Sequence, residues 1–137
     1  MSVKIFLDTN VIVYAFDKTS RKKQTQAREL LQIDRKWAVS WQVVQEFSSV
    51  ALHRFKKPLS SEFLANFIDL VLWPKCSVMP SQAIFEKAII IREQTQYRFY
   101  DALIIAAAIE SGATKLLSED LQDGRAFGEL KIVNPFG

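Results

Sequence analysis

Short, nearly continuous apolar runs recur along this chain, and stretches of helical periodicity separate them. VKIFL (3–7) has the look of a strand buried on both faces. Trp37–Ser40, Cys76–Met79, Thr114–Leu117 and Leu130–Val133 are the further candidate strands. Between them, Asn10 to Phe16 reads as a short helix or turn. Ser20 can cap a helix to about Ile33, with Ala27, Leu30 and Leu31 on one face. Trp41 to about Phe55 carries Val43, Val44, Phe47, Val50 and Ala51 at helical spacing, and Pro58 ends it. Ser60 or Ser61 caps the next helix, with Phe63, Leu64, Phe67, Ile68 and Leu72 inward. Pro80 opens another, to about Gln94. A last helix, Tyr100 to Ser111, stops at Gly112. Strands alternating with helices predict an α/β fold: a mostly parallel central sheet with helices on both faces.

At 137 residues, about half of them hydrophobic, the chain suits a single domain over 1–137 with a real core. No repeat, low-complexity tract or linker divides it. Gly is scarce, and neither a Gly-rich phosphate loop nor G-x-G-x-x-G is present, which disfavours the common nucleotide-cofactor enzymes. Lone Cys76 reads as a buried small hydrophobe in a reducing cytosol. ALIIAAAI (102–109) is far shorter than the roughly 20 residues a membrane span needs. MSVKIFLD enters structure at once, without a signal-peptide pattern, so the expected location is cytoplasmic. Net charge is +3. Basic residues cluster at Arg21–Lys23, Arg35–Lys36 and from His53 to Lys57, as solvated faces or as contacts to a phosphate-bearing partner.

The polar residues that interrupt this pattern are acidic. Asp8, followed by Thr9 and Asn10, breaks the chain directly after the first strand, and Ser118-Glu119-Asp120 follows KLL (115–117). In open parallel sheets, ligands bind beyond the carboxyl ends of the strands. Each acid alone suits an N-cap or turn. Glu46 borders the apolar stripe of its helix, and an unpaired carboxylate is costly to bury. Asp101 opens YDALIIAAAIE, a helix apolar over most of its circumference, where an acid also favours the helix dipole. If Asp8, Glu46, Asp101 and Asp120 converge, they repel: two bare carboxylates at 4 Å cost about 4 kcal/mol at an effective dielectric of 20. Such a cluster raises its own pKa values or recruits cations. Oxygen-only donors, with no spare His or Cys, suit Mg²⁺ or Mn²⁺, which can activate water and steady a phosphodiester in transit. Thr9, Asn10 and Ser118 would then support the acids.

The pattern resembles the PIN-domain nucleases, and among them the VapC-type toxins of type II toxin–antitoxin pairs. The resemblance spans essentially the whole chain: FLDTNVIVY, the lone Glu46 in VVQEF, RFYDALIIAAAIESGATKLLSEDLQDG (98–124) and KIVNPF (131–136). It implies a PIN-like fold and an acidic quartet at Asp8, Glu46, Asp101 and Asp120, catalytic through one or two bound Mg²⁺ or Mn²⁺ ions. Ser118 matches the family's polar position ahead of the fourth acid, and Asn10 the polar residue after the first. Glu119 or Asp123 is an alternative for the fourth role. It also implies endoribonuclease activity that leaves a 5′-phosphate and a 3′-hydroxyl. Arg21–Lys23, the His53–Lys57 cluster, Arg92 and Arg98 are candidates for steering RNA. The implied partners are RNA, a cognate antitoxin and a second copy of the chain.

Two rivals stand beside this reading. A haloacid-dehalogenase-like phosphatase also places an Asp after strand one, but wants a second Asp where this chain has Asn10. A catalytically inactive RNA-binding module would lack an intact quartet.

Overall fold

The computed structural model describes residues 5–32 and 35–137. Val3, Lys4 and Ile33, assigned above to a strand and a helix end, lie outside the described residues. The elements, in chain order, are β1 (Ile5–Leu7), α1 (Thr9–Tyr14), α2 (Arg21–Leu30), β2 (Trp37–Ser40), α3 (Trp41–His53) and α4 (Ser61–Phe67). A π-helical turn (Ile68–Leu72) and α5 (Trp73–Lys75) lead into β3 (Cys76–Val78). Then come α6 (Gln82–Thr95), α7 (Phe99–Glu110), β4 (Lys115–Leu117), β5 (Ala126–Phe127) and β6 (Leu130–Val133).

The strands form one sheet in the order β3-β2-β1-β4-β6-β5. All pairings are parallel except β5 with β6. From β1 the chain steps outward to β2 and β3, then returns to the other side of β1 for β4. Crossovers between parallel strands are right-handed, so this reversal places the two sets of helices on opposite faces. It also makes the β1/β4 boundary the switch point, where a crevice opens beyond the strand ends.

The core is built where the sheet meets α3 and α7. Phe6, Leu7, Val39, Leu116 and Ile132 of the strands are fully buried, as are Val43 and Phe47 of α3. Residues 102–108 of α7 are buried without interruption, and three consecutive alanines, Ala106, Ala107 and Ala108, let neighbouring backbone come close. None of the described helices is long and apolar enough to cross a membrane.

Several expected boundaries shift for local reasons. The helix expected at Pro80 starts at Gln82, because the Ser81 hydroxyl accepts the Ile84 N–H at 3.2 Å and so acts as the cap. Phe63, expected inward, is 48% exposed, since only one side of α4 meets the core and its ring sits at that edge against Phe16 and Phe67. Cys76 is half-buried rather than sealed in, and burial still pushes its thiol up. β5 has no strand signal in the sequence. It is two residues long and exists through a hairpin in which Gly128 takes φ of 61°, a conformation that penalises a side chain. Gly112, after the Ser111 cap of α7, has φ of 79°, as a helix stop requires.

Candidate active site

Three neighbouring strands deliver polar residues to one edge of the sheet. The Asp8 N–H continues the ladder to the Leu117 carbonyl at 3.0 Å, and the Ser118 N–H does the same to Val133 at 3.0 Å. Asp8 and Ser118 are thereby adjacent, each one step past its strand. The Asp8 carboxylate is buried and works twice. One oxygen accepts the Thr9 N–H at 2.7 Å, capping α1, and the other accepts the Ser118 hydroxyl at 2.8 Å. The Asp8 carboxylate therefore caps α1 and at the same time joins the end of β1 to the residue after β4.

Glu46 comes from α3, which starts directly after β2. Its Oε1 accepts the Thr9 hydroxyl at 2.6 Å and its Oε2 accepts the Gln42 amide at 3.3 Å. Thr9 thus ties the α1 start to α3. Asp101 sits half-buried in the first turn of α7, and Asp120 is exposed on the loop after β4. Asn10 donates to Asp120 at 3.0 Å and to the Ser118 hydroxyl at 3.5 Å, and its carbonyl accepts the Glu119 N–H at 3.3 Å. Asn10 therefore holds the loop that carries the fourth acid.

Electrostatics link the four carboxylates into one group. Burial is the main cause that pushes Asp8 up to about 6; the Ser118 and Thr9 hydrogen bonds oppose it, and the charges of Glu46 and Asp101 add to it. Asp101 is also raised, first by burial and then by Asp120, with Arg98 opposing and Glu46 adding. Asp8 therefore senses Glu46 and Asp101, and Asp101 senses Asp120 and Glu46. Among the described residues, however, no three acids stand close enough to form a ready-made metal cage. Glu46 is held by Thr9 and Gln42, and Asp120 by Asn10, each a neutral donor on its own element. Mg²⁺ fits such a site because it keeps several waters and binds through one or two carboxylates, not a dedicated protein cage. The donor set is all oxygen, as hard divalent cations require.

The alternative fourth acids have other work. Glu119 accepts from the Tyr14 hydroxyl and from Lys23, each at 2.5 Å, and these two partners hold its carboxyl below the ordinary range. Lys23 also lies 4.8 Å from the centre of the Tyr14 ring. Asp123 accepts the Asn134 N–H at 2.9 Å and so closes a turn near the end of the chain.

Gln42 was not singled out by the sequence. It is buried, and its amide donates to Glu46 and also to the Tyr100 carbonyl at 3.1 Å, beside Asp101. Both neighbours are acceptors, which fixes the amide orientation and leaves the Gln42 carbonyl oxygen without a partner. One residue thus spans the two helices that carry Glu46 and Asp101. Its position one turn before Glu46, among apolar neighbours, is the available sequence signal.

A cleft of about 510 Å³ lies beside the acids, lined by Asn10, Tyr14, Glu46, Arg54, Glu119 and Asp120 among others. The arrangement offers a charged, polar edge open to a large substrate on one side of a rigid sheet.

Comparison with known proteins agrees with this fold. The profile of the PIN domain family matches residues 5–125. No sequence match is found among curated proteins. A toxin–antitoxin complex from Klebsiella pneumoniae contains a chain 20% identical, with a TM-score of 0.67, covering 96% of this chain and 98% of that one. VapBC2 from Rickettsia felis, bound to a DNA fragment from its promoter, gives 19% identity and 0.61 over 93% and 96%. VapC20 from Mycobacterium tuberculosis, a sarcin–ricin loop cleaving toxin, gives 19% and 0.62 over 82% and 87%. At these identities the likeness is one of fold.

Proposed function

Because the chain belongs to the PIN domain family, we propose that it is a Mg²⁺- or Mn²⁺-dependent endoribonuclease, the toxin of a toxin–antitoxin pair. The carrying observation is that Asp8, Glu46, Asp101 and Asp120 share one field at the switch point of the sheet, with Asp8 pushed up to about 6. Asp8, Glu46, Asp101 and Asp120 would hold the ion; Thr9, Asn10 and Ser118 would support them. A bound divalent ion supplies Lewis-acid polarisation of the phosphodiester and of its attacking water.

The chain's own residues set up the rest. Thr9 and Gln42 each donate to a different oxygen of the Glu46 carboxylate, which keeps lone pairs for an ion. Asn10 anchors the Asp120 loop. Ser118 orients Asp8 through a hydroxyl that is itself buried. These neutral donors restrain the acids without cancelling their charge, so the group stays anionic and attracts a cation. Hydrolysis at this edge leaves a 5′-phosphate and a 3′-hydroxyl.

The phosphatase rival needs a second carboxylate at position 10. Asn10 instead bridges Asp120 and Glu119 as a neutral amide. The inactive-module reading has no missing acid to rest on.

RNA cleavage is expected to require Mg²⁺ or Mn²⁺ and to stop with EDTA; cleavage by metal-free protein refutes the proposal. Asp101→Asn should lower cleavage at least about a hundredfold, measured on labelled RNA. The toxin role is supported by the likeness in fold to chains of toxin–antitoxin assemblies. It implies a cognate antitoxin, a homodimer and a cytoplasmic site of action. Expression of the active chain alone should arrest growth, while Asp101→Asn should not; normal growth with active enzyme present removes the toxin role.

Gln42→Leu keeps the volume but removes both donations. Loss of a partner that orients a metal-binding group commonly costs 10–100-fold in affinity. Titration with Mn²⁺, followed by calorimetry, should show a loss of about that size, and Gln42→Leu affinity equal to wild type would show that Gln42 serves packing alone.

A further inference from the structure

A second cavity, of about 690 Å³, adjoins the acidic cleft and shares Asp17 and Arg54 with it. Its charge is opposite to that of the acidic edge. Arg54, at the end of α3, Lys56 and Lys57, in the loop that follows, and Lys18 all line it. The ion pairs among the described residues, Lys23–Glu119 and Arg92–Glu93, involve none of these four cations. Asp17, whose carboxylate accepts the Thr19 N–H at 2.9 Å and hydroxyl at 2.7 Å, is the one acid among the described residues of this lining, so the cations outnumber it. The 48% exposed ring of Phe63 forms part of the same wall.

Resting on the endoribonuclease reading, we propose that this cavity is a substrate subsite. It takes the nucleotides of single-stranded RNA next to the cleaved bond, with phosphates on Arg54, Lys56 and Lys57 and an unstacked base on Phe63. Charge complementarity and continuity with the acidic cleft choose this occupant. A polyanion must leave the carboxylate edge along a positive path, and Arg54 stands where the two hollows join. An exposed aromatic among cations is how sequence-tolerant single-strand binding is built. A duplex keeps its bases stacked and cannot offer one to the ring.

The test measures anisotropy of a labelled 20-nucleotide single-stranded RNA bound to the Asp101→Asn protein. Adding Arg54→Gln and Lys57→Gln should weaken binding at least tenfold and make the slope of log affinity against log salt shallower by about one to two. Phe63→Leu should weaken binding about fivefold or more and leave that slope unchanged. Lys115→Gln, at the amino end of β4, should change neither. All four substituted side chains are exposed, and unchanged melting curves would establish folding; Arg54→Gln alone provides a milder variant. Unchanged affinity in the Arg54→Gln, Lys57→Gln protein overturns the proposal, as does equal affinity for a duplex of the same length. If the unsubstituted chain cleaves RNA while these binding results fail, only the subsite is wrong. If it cleaves none, the endoribonuclease reading itself falls.

Discussion

Asp8→Asn is expected to abolish cleavage and at the same time to raise the melting temperature of the metal-free protein. Ordinarily a buried residue with two good hydrogen bonds cannot be changed without loss. Here the amide is nearly isosteric: its oxygen can accept the Thr9 N–H, and its NH₂ can donate to the Ser118 hydroxyl in place of the bond seen now. What disappears is a negative charge buried beside Glu46 and Asp101. The sign of the pH effect follows. The folded chain holds the Asp8 proton up to about pH 6, while the ordinary value is 3.8. Between these two values the folded state binds more protons, so stability falls as pH rises through that window and stays low above it. At about 1.4 kcal/mol per pH unit, the penalty near neutral pH is at most about 3 kcal/mol. Removing it should raise the melting temperature by about 5 °C or more at pH 7, with little difference at pH 4. Scanning calorimetry at both values in EDTA checks this. Adding Mn²⁺ should reverse the order at pH 7, because an ion bound only by the folded wild type stabilises that form alone. A variant less stable at pH 7 by more than about 1 kcal/mol would mean that Asp8 is chiefly a cap.

The acids were legible because their positions contradict their surroundings. A carboxylate between VKIFL and an apolar helix, and another in the first turn of α7 just before its buried stretch 102–108, ask for a reason that propensity does not provide. The sheet was legible for a similar cause: buried parallel strands are continuous apolar runs and stand out. Residues whose role depends on one contact were harder to see. Gln42 looks like an ordinary helical residue until α7 arrives beside it, and no local pattern reports a contact across 58 positions. β5 depends on the φ of a single glycine. Phe63 fitted the apolar stripe of its helix, yet only one side of α4 meets the core and Leu64 takes it. Periodicity identifies a face; which part of that face another element covers is a tertiary fact.

Asn10→Asp discriminates the two hydrolase readings most sharply, since it builds the D-x-D pattern that the phosphatase reading lacks. In the present chain the Asn10 amide is a neutral donor to Asp120 and Ser118, and its carbonyl takes the Glu119 N–H. An aspartate keeps the acceptor and loses the donor. It also sets a fifth negative charge against Asp120, in a group where Asp8 and Asp101 are already raised. At about 4 Å the repulsion is about 1 kcal/mol in water and about 4 kcal/mol at an effective dielectric of 20. Asp120 is exposed, so the lower half of that range applies, and the loop is expected to swing outward instead of the chain unfolding. RNA cleavage should therefore fall about a hundredfold or more, with a melting temperature within a few degrees of wild type. More Mn²⁺ should restore part of the activity, because a cation offsets the added charge. Hydrolysis of a small phosphomonoester should stay at background in both proteins. Phosphatase activity appearing in Asn10→Asp, with trapping of phosphate on Asp8, would instead make the first acid a nucleophile and remove the ion-binding role from it.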